Sequence, residues 1–399
     1  MIETVPTHRA RVWMLSGLLI VASLAFGIGA EVKGTPLIAV EALIFAIGAF
    51  FFAVGATRQI AGGRLIIALI LAAVATGSLL FMVHEPGIAG QVRFGLFQTT
   101  DNVSSFAPWA DPAAGGFWFK VVAVWLASWM AIDQLADRRA ATERGQRVID
   151  IVVPLLFGAF LFVIWEWITV GFGVPSVLMP APSAIGAAIA GSLSILAQDF
   201  VQTFVKSVIT GWALGSFLGF AVAIIADRVP FLRRGLLPLG NFVSALPIIG
   251  IAPIMVMWFG FDWHSKVAVV VVMTFFPMLV NTVTGLDAAG RLERDLMRSY
   301  GASYLSTLTA LRLPAAMPFV FNALKINSTL ALIGAIVAEF FGTPIVGMGF
   351  RISTEAGRMA LDMVWAEIAV AALAGSTFYG MIALVERSVT FWHPSYRRS

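Results

Sequence analysis

No cysteine occurs in the 399-residue sequence. Disulfides, thiolate metal ligands and a cysteine nucleophile are therefore excluded. Charge is almost as scarce. Asp, Glu, Lys and Arg together make up 12% of the chain, where a soluble domain carries about a quarter. A soluble fold of this size would lack the polar side chains to cover its own surface. That excludes an ordinary cytosolic enzyme, a disordered chain and a nucleic-acid-binding domain. The histidines, His8, His84, His264 and His393, lie far apart and form no HExxH-type pair, so no metal site is expected.

What the chain has instead is apolar surface, with 59% hydrophobic residues. A membrane helix needs about 20 mostly apolar residues. Segments of that kind lie at 12–29, 36–55, 64–84, 117–135, 151–174, 201–226, 236–260, 266–285, 318–341 and 361–385, about ten spans in all. The basic start at His8, Arg9 and Arg11 is followed by too long an apolar run for a cleaved signal peptide, so the first span is expected to be retained. No fixed-period repeat relates the first four spans to the last six.

Arginine sets the orientation. With the N-terminus inside, the even connections carry Arg58 and Arg64, then Arg138, Arg139, Arg144 and Arg147. Arg228, Arg233 and Arg234 follow, then Arg291, Arg294, Arg298 and Arg312, and the tail carries Arg387, Arg397 and Arg398. Both termini are therefore expected to be cytoplasmic. The net charge of +4 reflects this topology and does not require an anionic partner. The polar stretch 133–150 suggests a division into a four-span unit (1–138), a linker (139–150) and a six-span unit (151–399).

The informative connection is GLDAAGRLERDLMRSYGASYLSTLTALRLPAAMPF, residues 285–319. It is amphipathic and helix-compatible. Gly301 is placed to supply a tight turn between two short helices, and Pro314 and Pro318 are expected to end the loop before the next span. This loop resembles the cytoplasmic EAA loop of permease subunits of bacterial binding-protein-dependent ABC importers: EAA, three residues, Gly, nine residues, Ile, any residue, Leu-Pro. Asp295 stands at the Glu place, and Leu296 and Met297 replace the two alanines. Gly301, Leu311, Leu313 and Pro314 keep the remaining places and every spacing.

Further runs resemble the nitrate, taurine, alkanesulfonate and thiamine-precursor branch of that family. They are LMPAPSAI (178–185), ALPIIGIAPIMVMWFGFDWHSK (245–266), FFPMLVNTVTGL (275–286) and IVAEFFG (336–342). The resemblance covers roughly 151–399. It implies an all-α polytopic membrane protein: a six-helix type I ABC importer domain, here with four extra N-terminal helices. It also implies a transport subunit coupled through residues 287–315 to a separate ATPase. Met297, Tyr300, Tyr304 and Leu305 would fill an apolar cleft on that subunit, with Arg294, Asp295 and Arg298 at its rim. None of the five lysines ends a GxxxxGK[ST] loop, so ATP and magnesium are expected on the partner ATPase and no cofactor on this chain. The implied partners are a cytoplasmic ATPase dimer, a periplasmic or lipid-anchored solute-binding protein and a second copy of the chain. The location is the bacterial inner membrane.

Candidates for the translocation path are the intramembrane acid Glu166, Asn241, Ser244, the helix-breaking Pro247 and Pro253, Asn281, Asn322, and Glu339, which stands at the family's Ala-Glu position. Candidates for docking the binding protein are two outer charged patches, Asp262, His264 and Lys266, then Arg351, Glu355 and Arg358. Gly211, Gly215 and Gly219 bare one face of the sixth span for close packing, within the chain or with a second copy. An ion-coupled secondary transporter is the alternative. It is expected to show paired repeats and several intramembrane acids, and the sequence has neither beyond Glu166. The solute is expected to be a small organic molecule or anion.

Overall fold

In the computed structural model, residues 142–392 are described except 245–246 and 343–344, together with scattered helical positions between 70 and 84 and between 121 and 136 and the non-helical residues 139–140. Of the spans expected in the N-terminal region, 12–29 and 36–55 lie outside the described residues, and 64–84 and 117–135 contribute only those scattered helical positions. Every regular element among the described residues is helical. The chain divides into two compact units, Met1–Ala184 and Ile185–Ser399.

In the first unit, α1 (Glu143–Gly171) begins at Thr142, whose side chain accepts the amide of Gly145 at 3.1 Å. That satisfies one of the free N–H groups of the first turn. Glu143 complements the helix dipole there. α2 (Pro182–Gly191) follows, with the division between the units falling after its residue Ala184.

The second unit is built around long helices. α3 (Leu193–Phe200) runs through a π-helical stretch (Val201–Ile209) into α4 (Thr210–Arg228). Next come α5 (Pro230–Ser244), α6 (Ile248–Phe259) and α7 (Trp263–Asp287). Two short helices, α8 (Arg291–Ser299) and α9 (Tyr304–Thr307), lead through a second π-helical stretch (Leu308–Arg312) into α10 (Leu313–Glu339). α11 (Met348–Gly357) and α12 (Leu361–Val389) complete it.

Five helical runs among the described residues are long and apolar enough to cross a membrane: Glu143–Gly171, Leu193–Arg228, Trp263–Asp287, Tyr304–Glu339 and Leu361–Val389. They coincide with five of the last six expected spans. The sixth, 236–260, is divided between α5 and α6, with Pro247 capping α6 and Pro253 inside it. Proline at 247 cannot extend the hydrogen-bond ladder, so the break falls there.

A second difference concerns Pro314 and Pro318. They do not end the loop, because the helix runs unbroken from Tyr304 to Glu339, 36 residues. The π-helical turn immediately before Pro314 widens the coil where its ring would otherwise press on the carbonyl four residues back. At 1.5 Å per residue this run is about 54 Å long, more than a bilayer core of about 30 Å requires.

The glycine face of α4 packs against α7 of the same chain. A Cβ built on Gly211 would lie 2.6 Å from Val270, one on Gly215 2.0 Å from the Thr274 hydroxyl, and one on Gly219 2.3 Å from the Phe275 carbonyl. α10 closes the group. The fully buried Asn327 donates to the Ser216 hydroxyl at 2.9 Å and to the Thr274 carbonyl at 2.7 Å, tying α4, α7 and α10 together. Gly215→Val should therefore cost at least the ~1–3 kcal/mol of an overpacked core, lowering the thermal unfolding midpoint in detergent. Gly158→Ala on α1, where an added Cβ meets nothing within 4 Å, should leave the midpoint unchanged or slightly raised.

Candidate functional site: the loop after α7 and a buried polar network

α8 begins after Gly290 with Glu293 in its first turn and Arg298 in its last, both favourable to the helix dipole. It ends in a Schellman turn. Gly301 adopts φ +67°, its amide donates to the Arg298 carbonyl at 3.0 Å, and the Ala302 amide donates to the Met297 carbonyl at 3.0 Å. Only glycine takes that backbone without a Cβ penalty. Ser303 then caps α9, accepting the amide of Ser306 at 3.2 Å. The loop is thus two short helices joined at Gly301.

A buried ion pair anchors the returning arm. The Arg312 guanidinium donates to both oxygens of Asp227 at 2.7 Å each. Tyr304 Oη donates to the same carboxylate at 2.9 Å, and Arg312 Nε donates to the Leu286 carbonyl at 3.0 Å. The Asp227 side chain is 2% exposed and that of Arg312 13%. Arg233 of α5 pairs with Asp287 at the end of α7, and Arg312 lies 3.7 Å from the same Asp287. Beneath these charges Leu286, Leu308 and Ala316 form a buried apolar cluster, with Ile224, Tyr304 and Leu313 packed on it.

The coupling candidates divide by exposure. Asp295, Leu296, Arg298 and Gly301 are exposed, while Met297, Leu311, Leu313 and Pro314 are half-buried. Leu292, Leu296 and Tyr300 fall four residues apart and stand 83%, 55% and 81% exposed, an uncovered apolar stripe on one face of α8. Tyr304 does not belong to that surface. Its hydroxyl is held inward by Asp227, and the Arg228 guanidinium lies 5.3 Å from its ring centroid.

At the far end of α10 lies a buried polar network. Glu339 accepts from the Thr203 hydroxyl at 2.8 and 2.9 Å and from the Gly349 amide at 2.7 Å. Thr203 in turn accepts the Met348 amide at 2.8 Å. Asp199 accepts the Gly347 amide at 2.6 Å and Arg351 Nε at 2.8 Å. Gly347 has no room for a side chain, since a Cβ would lie 2.8 Å from the Glu339 carboxylate. Glu367 of α12 is fully buried and faces Asp199, and among the described residues neither of its carboxylate oxygens makes a hydrogen bond that meets the usual geometry.

This network corrects part of the expected outer docking surface. Lys266 is buried, with its ammonium donating to the Phe261 carbonyl at 2.6 Å and also to the Gly342 carbonyl. Arg351 is turned onto Asp199. Glu355 and Arg358 pair with each other at 3.0 Å. Asp262 caps α7 through the Trp263 amide, and His264, stacked on Trp263, stays exposed. Among the path candidates, Asn322 Nδ2 lies 3.4 Å from Asn281 Oδ1, linking α10 to α7. The Asn241 and Ser244 side chains lie outside the described residues. Glu166 belongs to the first unit, where it accepts from the Ser183 amide at 2.9 Å and its hydroxyl at 2.5 Å, with His84 Nε2 at 2.8 Å. Asp227, Asp199, Thr203 and Asn327 were not singled out from the sequence. Asp227 pairs with Arg312 85 residues on, and the partners of Asp199 and Asn327 lie 152 and 111 residues away.

Residues 215–391 match the family described as binding-protein-dependent transport system inner membrane component. The formylaminopyrimidine transport permease protein of Halalkalibacterium halodurans is 30% identical over 247 residues, 62% of this chain and 98% of that one. The riboflavin transport system permease protein of Chloroflexus aurantiacus is 27% identical over 237 residues, 59% of this chain and 88% of that one. The taurine transport system permease protein of Escherichia coli is 27% identical over 175 residues, 44% of this chain and 63% of that one. The chain belongs to this family of ABC transporter permeases, integral inner-membrane components of binding-protein-dependent importers.

Asp227→Ala should strand the Arg312 charge in a nearly dry site and cost about 3–5 kcal/mol locally. Trypsin should then cut the membrane-embedded protein at Arg291, Arg294 and Arg298 faster than it cuts the parent. Ser216→Ala, which leaves the loop anchor intact, should not change that rate.

Proposed function

We propose that the chain is the membrane subunit of an ATP-driven importer in which residues 287–315 are the coupling element. The observation that carries this is the uncovered stripe of Leu292, Leu296 and Tyr300 on a short helix whose base is locked to the span ends by Arg312 and Asp227. An apolar stripe outside the bilayer needs a protein partner to cover it. A rigid base lets a push on that stripe reach α4, α7 and α10 without being absorbed by the loop.

In this proposal an ATPase dimer, which binds the ATP and Mg²⁺, receives α8 with Leu296 and Met297 in its cleft and Asp295 and Arg298 at the rim. Gly301 sets the bend, and Leu311, Leu313 and Pro314 carry the base. Two copies of the chain form the pathway in the bacterial inner membrane. Each contributes a six-helix core (151–399) joined by the linker 139–150 to four additional N-terminal spans (1–138), with both termini cytoplasmic. A periplasmic or lipid-anchored binding protein delivers solute to the opposite face, where Asp262 and His264 remain accessible. The Asn281–Asn322 pair is the polar element offered to solute between α7 and α10. Relatives named for a formylaminopyrimidine, riboflavin and taurine and the uncharged lining favour a small organic solute. Import proceeds by alternating access, with no covalent step on this chain.

Leu296→Glu should weaken docking of the ATPase subunit by roughly 30-fold, the effect of losing one apolar hot spot. The permease should still reach the membrane in normal amount. Co-purification of the ATPase with the variant, quantified against the parent, reads the effect. Unchanged co-purification and uptake would reject α8 as the docking element.

A further inference from the structure

Two features seat α12 on its neighbours. The first is Phe378. Its ring stands edge-on to Phe204 of the π-helical stretch at 5.7 Å and to Trp212 of α4 at 4.9 Å. Trp212 Nε1 in turn donates to the Leu324 carbonyl of α10 at 3.1 Å. Phe378 and Ile382 belong to a buried apolar cluster that also takes in Val270 of α7 and Phe321 of α10.

The second feature is an ion pair. Lys325 Nζ of α10 lies 2.6 Å from Glu386 Oε2 of α12, with the two side chains 18% and 8% exposed. Lys325 is one turn on from Phe321 and Glu386 one turn on from Ile382, so the charges stand at the edge of the apolar cluster. Both residues lie in runs long and apolar enough to cross a membrane. An ionisable side chain in such a run is costly and marks function. Stability does not explain the pair, because apolar side chains of similar length would hold α10 to α12 as well or better. What the pair adds is register. A helix can slip or turn by small steps over an apolar face, whereas an ammonium and a carboxylate meet at one setting.

We propose that Lys325 and Glu386 are positioning residues for import, holding α12 in register with α10 so that a displacement of α10 reaches α12. The inference rests on the coupling role of residues 287–315 and extends the driven helices beyond α4, α7 and α10.

The absence of cysteine lets an engineered pair report alone. A Cβ built on Gly375 of α12 lies 2.9 Å from Leu332 Cδ2 of α10, so Leu332→Cys with Gly375→Cys places two thiols in contact. Leu332→Cys with Tyr379→Cys is out of register by one turn. Disulfide formation by each pair would be timed by mass spectrometry in the full chain, alone and with the ATPase trapped by vanadate and ATP. The in-register pair should form faster in both states. Adding Lys325→Met with Glu386→Leu removes the ion pair without stranding a charge. That should cut the preference about fivefold in the trapped complex, with the thermal unfolding midpoint equal to the parent's or higher. Lys325→Arg, which keeps the pair, should keep the preference. An undiminished preference in the trapped Met/Leu variant would overturn the proposal. So would a midpoint that falls with the preference, which marks a packing role only, or an equal loss in Lys325→Arg. Failure of the ATPase to bind the parent would sink the coupling reading instead. The chain alone would still test the register, and equal rates for the two pairs there would overturn it.

Discussion

The ion pair between Asp227 and Arg312 fixes where everything on the loop side of the molecule sits. Drawing two charges out of water costs several kcal/mol each, and a bare pair recovers little of it. Here the guanidinium meets both carboxylate oxygens, the carboxylate takes a third bond from Tyr304, and the guanidinium a further one to the Leu286 carbonyl. The geometry defines one register between the end of α4 and the start of α10, 85 residues apart. The π-helical stretch Leu308–Arg312 contributes directly, because a widened turn resets the angular phase at which Arg312 leaves the helix.

The same device recurs at the opposite end. The π-helical stretch Val201–Ile209 carries Gln202, Thr203 and Ser207, all buried, and Thr203 is the hub that joins Glu339 to the Met348 amide. Between the two ends the contacts are close and apolar: glycines of α4 against α7, with Asn327 stitching in α10. Polar locks at both ends and close packing between them tie α4, α7 and α10 together. In the proposed importer, α8, held out on the Gly301 turn, would be the handle on that unit.

Local signals in the sequence gave sound structure. Gly301 was legible because a glycine between two short amphipathic helices needs a left-handed turn, and φ +67° is found there. The α4 glycine face was legible from its four-residue spacing alone. Apolar length located five of the last six spans. Features set by distant partners were hidden. Lys266 and Arg351 look like solvent charges in sequence, yet the carbonyl of Gly342 and the carboxylate of Asp199 draw them inward. Pro314 looks like a terminator because the sequence does not announce the π turn that accommodates it. The division of 236–260 into two helices was half visible, since either Pro247 or Pro253 was able to make the break and only Pro247 does.

Charge exchange across the anchor tests the account most directly. Asp227→Arg, Arg312→Asp and the double exchange would be reconstituted with the ATPase and binding protein in proteoliposomes, and solute uptake per ATP hydrolysed compared with the parent. Each single variant should hydrolyse ATP with little import, because like charges drive the loop from its seat, and the double exchange should recover much of the lost stoichiometry. Single variants that import solute per ATP as the parent does would contradict the claim that this pair carries the stroke into the membrane helices.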